Sequence, residues 1–593
     1  MKLEIQKILE FNDLFPNEEI DVISILKKYS KEKVVRIVNC LGMNYGNAFI
    51  PDTQSTFFSS ISKKNVAILN RLIENYLKTH NVQKVCYCTL RSILELLRYA
   101  FSIPLAQYSN TANDEDLEFD MFRVLLFINQ DLMEFSSEDD DNSSKMVFLH
   151  SFVLNDVTNG RWDITYQAQT YYFECLSSFL NENGTGIQLK DAFMKEASFL
   201  SFENYIQSLV ALIFLYIDKK KENLKGCPVL YLDKIKDETG FLHKEVCDYL
   251  SIDISKEISY SNEDDYNRKD NVDYREFRAH PLIKVAESEY IMYNLQLLCE
   301  RIYNSLFFDL KSVWSNKDGD YFQFYNKEVV EHFMFQRTML NCIGNKTSYH
   351  YPPKEEILLP KAKEEQEDQP DFYIREKDAL ILFECKGVKI NGSIKDKANA
   401  DELISVIKNK LYLSTENIDK KRKAKQKKET VGVTQLVKLI NLIEDDIFQW
   451  DKDIPDAVEY YPVLVLEDPR LTQMGMIRLI NDWYKPLLIE QKLTDATCHP
   501  IIVMSIDTLF RHSEVFTRKG FHNVFDEFFR TSVKNHPSAT IEWKIGLFAD
   551  FDMYMRQKYK LSSNKKKYYM GIINRIASNA NHKVDYLLKH QEL

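Results

Sequence analysis

The chain has 593 residues, 45% hydrophobic and 28% charged, with only 16 Gly and 15 Pro. That composition excludes collagen-like and broadly disordered classes and supplies apolar material for two or three domains. The net charge of −11 excludes a surface coated throughout for nucleic acid, but the acidity is uneven: residues 1–315 carry −13 and residues 316–593 carry +2.

The amino terminus, Met1-Lys2-Leu3-Glu4-Ile5, lacks a basic start followed by an apolar core, so no signal peptide is expected. Apolar residues recur at three- and four-residue steps over 11–28, 66–77 and 90–99, which predicts helices there. The apolar string 124–128 fits a strand or a buried helix turn equally. Gly184-Thr185-Gly186 is expected to be a loop, not a dinucleotide fingerprint. The longest unbroken apolar run, 209–217, is too short to cross a bilayer and predicts a buried helix segment. Acidic interruptions at 136–144 and 262–276 are expected to be exposed loops, the second a subdomain boundary. Residues 1–260 therefore predict a mostly helical region for sensing, regulation or assembly, and 261–315 a linker with connecting helices. The ten cysteines are scattered; Cys86 and Cys88 form a C-x-C with no second pair at zinc spacing. Free thiols in a reducing, cytoplasmic setting are the expectation.

From about 316 the pattern changes. A helix is predicted over 327–342, then strand-like segments, then the lysine-rich stretch 420–428. A helix (434–445), a strand (461–466), a helix (470–489) and a strand (500–506) follow, and the terminus from Asn564 is helical and basic. Alternating strands and helices predict an α/β layer structure for 316–593: a central mixed sheet flanked by helices.

Within it, Pro370-Asp371 opens a short apolar hairpin that closes on Glu384-Cys385-Lys386. If Asp371 pairs with Glu384, Ile374 pairs with Ile381 and 376–379 form the turn. Side chains alternate along a strand, so Leu380, Leu382, Glu384 and Lys386 share one face and Ile381, Phe383 and Cys385 the other. Asp371 then arrives beside Glu384 and Lys386, and Gly387 ends the strand. Two carboxylates beside a lysine suit a hard cation such as Mg²⁺, for which Mn²⁺ can substitute; the Cys385 carbonyl would add an oxygen ligand. Such an ion acidifies water and neutralises phosphate charge, and the lysine orients the water and stabilises developing charge. The plain alternative is a same-face ion pair beside a turn-opening aspartate, with Cys385 facing the core.

These residues resemble the PD-(D/E)xK nuclease superfamily, which includes restriction endonucleases, over roughly 320–506. The resemblance implies a restriction-endonuclease-like domain that cuts phosphodiesters, DNA before RNA. It assigns catalysis to Asp371, Glu384, Lys386 and Gln435. The glutamine opens the helix at Gly432-Val433-Thr434-Gln435-Leu436. It also implies an acid on the preceding helix as a further metal ligand: Glu331, or Glu328 one turn earlier. Lys420, Lys421, Arg422 and Lys423 would touch nucleic-acid phosphates. Fused to a large regulatory half, such a domain resembles restriction-type or anti-phage defence proteins, working as a homo-oligomer or with a partner protein. The competing reading is a nucleic-acid-binding or scaffold subunit with a catalytically silent nuclease-like fold. Other chemistries lack their motifs: the chain has no G-x-x-x-x-G-K-[ST], no H-E-x-x-H and no serine elbow, and His332 is expected to be an ordinary helix histidine.

Overall fold

A tight turn at Lys377-Asp378 sets up the central sheet. Lys377 takes a left-handed φ of +60°, and Phe372–Glu376 pairs antiparallel with Ala379–Lys386, Ile374 opposite Ile381. Ala379–Lys386 then pairs in parallel with Glu459–Leu466, which pairs in parallel with Ile502–Ser505. The strands carry near-continuous apolar runs because helices cover both faces. In this computed structural model the described residues are 6–44, 63–80, 82, 84–132, 143–158, 162–199, 201–221, 229–232, 242–258, 274–315, 319–344, 348–351, 369–390, 394, 400–416, 427–448, 450–494, 497–534 and 543–578.

A helical rod over 321–343 covers one face of this sheet. Asp320 caps it by accepting from the Gln323 N–H at 2.8 Å, and Gly344 (φ +58°) ends it. Phe335 packs against Phe372 and Phe383, ring centroids 6.4 and 6.3 Å away, so this helix lies on the Ile381–Phe383–Cys385 side. The rod starts earlier than the expected 327–342, because Asp320 supplies the cap. Its middle, Asn326–Gln336, is π-helical. The opposite side of the sheet receives the helix Val433–Glu444.

A second four-stranded sheet stands between two hydrophobic clusters. It orders Val229–Tyr231, Glu289–Met292, Leu282–Ala286 and Ser251–Asp253. Leu230, Leu282, Tyr290 and Met292 enter the larger cluster; Val229, Ile252, Ile283 and Ile291 enter the smaller. Strand alternation thus makes one sheet the wall of two cores. The smaller cluster is built mainly from 9–128. The larger runs from Met146 to Ile572, so the helices Ser144–Thr158, Trp162–Glu182, Gly184–Ala197 and Phe202–Lys221 pack with the central sheet's side of the molecule. The stretch 261–315, expected to be linker and helices, contributes two strands of the wall.

Other differences have local causes. The expected helix over 11–28 is two, Phe11–Leu14 and Val22–Lys27, parted around Pro16, with Asp21 capping the second. Gly184-Thr185-Gly186 is no loop but a helix start, capped by Asn183. The segment 124–128 lies in the helix Asp114–Leu132, and 209–217 is buried in Phe202–Lys221. The expected helix over 470–489 begins as a 3-10 turn, Pro469–Thr472, and resumes as Met476–Glu490 beyond Gly475. Gly475 (φ +90°) lies where a Cβ would stand 2.5 Å from the Phe148 backbone. The acidic stretches at 136–144 and 262–276 fall largely outside the described residues. Among those described, no single helix is long and apolar enough to cross a membrane; the bent pair Gly184–Ala197 and Phe202–Ile217 meets that test only together, and its apolar residues lie largely in the larger cluster.

Candidate metal centre

The hairpin brings Asp371, Glu384 and Lys386 together. Lys386 Nζ contacts Glu384 Oε1 directly and lies 3.9 Å from Asp371 Oδ2. Asp371 Oδ2 also accepts the Cys385 N–H at 2.7 Å, which carries the antiparallel pairing one step beyond Phe372. In a strand the N–H and C=O of one residue point to the same side, so the Cys385 carbonyl turns toward Asp371, where the neighbouring strand has stopped. The Lys386 carbonyl turns the other way, to the Glu467 N–H at 3.2 Å. The Cys385 side chain is buried, and burial drives its thiol well above the usual range, so it is no nucleophile.

Exposure is graded across the group. The Glu384 side chain is 0% exposed, Asp371 20% and Lys386 22%, so the carboxylate lies beneath two partly exposed neighbours. Burial, then the Asp371 charge, raises the Glu384 carboxyl well above its ordinary value; Lys386 opposes this and Glu331 adds to it. Lys386 is held protonated by Glu384, Asp371 and Glu331 against its own desolvation. Three carboxylates thus act on one ammonium, an arrangement short of positive charge.

The helix acids separate. Glu331 is among the main charges acting on Glu384, Cys385 and Lys386, and Glu328 is not. Three residues make less than a turn of π-helix, so the α-helical argument that put Glu328 and Glu331 on one face does not hold in this stretch. Gln435 is the third residue of Val433–Glu444, half-buried, on a helix that touches the Ala379–Lys386 strand; no hydrogen bond ties it to the three hairpin residues. Lys420, Lys421, Arg422 and Lys423 lie outside the described residues, between the paired strands Leu413–Glu416 and Lys427–Thr430. Cys88 of the C-x-C is a buried free thiol.

Among the described residues no group of three or more His, Cys, Asp or Glu side chains is gathered closely enough to hold a metal by itself. The fit to a divalent ion rests instead on Glu384. Its Oε1 is met by Lys386, while Oε2 is buried without a hydrogen-bond partner. A buried carboxylate oxygen left without a partner is costly, and a metal ion beside Lys386 would complete it. Mg²⁺ needs only one or two carboxylates when waters and substrate phosphate supply the rest.

Sequence reasoning missed Glu467, Lys389, Tyr303 and Asn326, which surround the end of the Glu384–Lys386 strand. The signal for Glu467 was present: like Glu384, it is an acid at the end of an apolar strand. Comparison with family models, curated proteins and solved structures finds no match to this chain.

Proposed function

We propose that residues 316–593 form a metal-dependent nuclease of the PD-(D/E)xK type that hydrolyses phosphodiester bonds, with DNA as its substrate, in restriction-type or anti-phage defence in the cytoplasm. The observation that carries this reading is the fully buried Glu384 carboxylate, met by Lys386 at Oε1 but with Oε2 unpartnered, beside Asp371. Asp371 and Glu384 would hold Mg²⁺ or Mn²⁺, with the Cys385 carbonyl beside them and Glu331 in the outer field. The ion supplies an acidified water and charge neutralisation at phosphate. Lys386 orients that water and stabilises charge on the phosphoryl oxygens. Asp371 is fixed by the Cys385 N–H, with Oδ2 3.9 Å from Lys386 Nζ. The part of 1–315 built around the smaller cluster would then sense, gate or assemble, while the helices over 144–221 and Tyr303 pack with the central sheet.

One observation favours the silent-platform reading: Glu384 has no solvent exposure. Incubating the protein with supercoiled plasmid, single-stranded DNA and RNA, in Mg²⁺, Mn²⁺ and EDTA, separates the two. Cleavage that needs metal and falls at least ~100-fold in Asp371→Ala supports the nuclease. Binding without cleavage in every metal supports the platform.

A further inference from the structure

The chain leaving the Ala379–Lys386 strand is gripped twice. At Gly387 it meets the 321–343 helix: Asn326 Nδ2 donates to the Gly387 carbonyl at 3.0 Å, and a Cβ there would stand 2.2 Å from Asn326 Oδ1. Two residues on, Lys389 reaches Glu467, Nζ to Oε1 at 2.7 Å. The same oxygen accepts the Tyr303 hydroxyl at 2.7 Å, and the lysine lies over the Tyr303 and Phe307 rings, 5.8 and 5.1 Å from their centroids. Glu467 is 1% exposed and follows directly on the strand Glu459–Leu466. It therefore holds the candidate centre twice, by its N–H on the Lys386 carbonyl and by its carboxylate on Lys389.

A buried ion pair is a costly tie where apolar packing would close the same space. Its other oxygen, Oε2, is buried without a hydrogen-bond donor, a further cost. What the pair adds is direction: the Lys389 ammonium, the Tyr303 hydroxyl and the Lys386 carbonyl are all fixed on one residue. Asn326 adds the second anchor. It opens the π-helical stretch, and hydrogen bonding from i to i+5 sets Asn326 and Glu331 on nearly one side of the rod.

We infer that Glu467 is a positioning residue of the candidate metal centre, forming with Lys389, Tyr303 and Asn326 a clamp that holds Lys386 in register with Glu331. The inference rests on the nuclease reading. Glu467→Gln is the test, because it keeps an acceptor for Tyr303 and the side-chain volume but removes the charge that holds Lys389. Glu467→Asp is the conservative variant. The full-length protein is assayed for plasmid cleavage in Mg²⁺, for Mn²⁺ binding by calorimetry, and for hydrogen exchange across 387–390. Expected for Glu467→Gln are a kcat lower by roughly 10- to 100-fold, a KM within about twofold, and faster exchange confined to 387–390, with Glu467→Asp recovering much of the rate. Wild-type kcat in Glu467→Gln overturns the clamp and leaves the nuclease reading standing. Faster exchange throughout the larger core, with no recovery in Glu467→Asp, makes the role structural and also overturns it. A wild-type protein that neither binds Mn²⁺ nor cuts overturns the nuclease reading, and the clamp with it.

Discussion

Lys386→Met isolates the electrostatics of the centre from its chemistry. The substitution keeps the aliphatic stem and removes the ammonium, leaving Glu384 at 0% exposure with no cation in contact and Asp371 and Glu331 still acting on it. Stranding a buried charge costs about 3–5 kcal/mol. Protonation limits that cost, and the sign follows from the direction of the shift. Below the ordinary carboxyl value of 4.5 both folded and unfolded states carry the proton, so the variant loses only packing, about 1 kcal/mol. Above it the unfolded state releases the proton while the folded state keeps it, so stability falls as pH rises toward the raised folded value. Removing Lys386 raises that value further and extends the loss to higher pH. Glu384→Gln abolishes this pH component, and in the double variant the Lys386 substitution should again cost only about 1 kcal/mol. Urea denaturation of the four proteins at pH 4.5 and pH 8 measures this, with an expected coupling of about 2–3 kcal/mol at the higher pH and below about 0.5 at the lower. An equal cost at both pH values, without coupling, refutes the view of Glu384 as a buried carboxylate held by Lys386.

Gly387→Ala forces a Cβ to 2.2 Å from Asn326 Oδ1, so a loss of about 1–3 kcal/mol is expected, partly recovered by adding Asn326→Ala, as read from thermal midpoints. Asp550 accepts the Met553 N–H at 2.8 Å, and burial, then the Asp552 charge, pushes its carboxyl up from 3.8 to about 7. Its contribution to stability is therefore lost progressively from about pH 4 to about pH 7 and changes no further above that; Asp550→Asn keeps the cap, and urea midpoints at pH 5 and pH 8 should draw closer together than in the wild type.

Local rules read well where they were sufficient. The hairpin register, with Ile374 opposite Ile381, followed from alternation and turn length, and so did the faces of Glu384 and Cys385. The strands around 461–466 and 500–506 followed from apolar runs between helical patterns. What failed depended on contacts distant in sequence. No local signal distinguishes the helices 144–217 as partners of the central sheet, because their apolar faces would suit either cluster. The π-helical stretch was invisible too: its sequence has ordinary helical spacing, and the Gly387–Asn326 contact it makes lies 61 residues away. Glu328 therefore stood as the second choice after Glu331 until the helix geometry separated them. The buried network at Glu467 draws on Tyr303 and Lys389 from separate segments, and only the fold assembles it.

The most direct test of the account is to locate a cation. Crystals of the full-length protein soaked in Mn²⁺ and measured at the manganese edge should show an anomalous peak within coordination distance, about 2.0–2.3 Å, of both an Asp371 oxygen and a Glu384 oxygen, and the peak should vanish in Asp371→Ala. Full soaking with no peak there, and Glu384 still closed against Lys386, would contradict it.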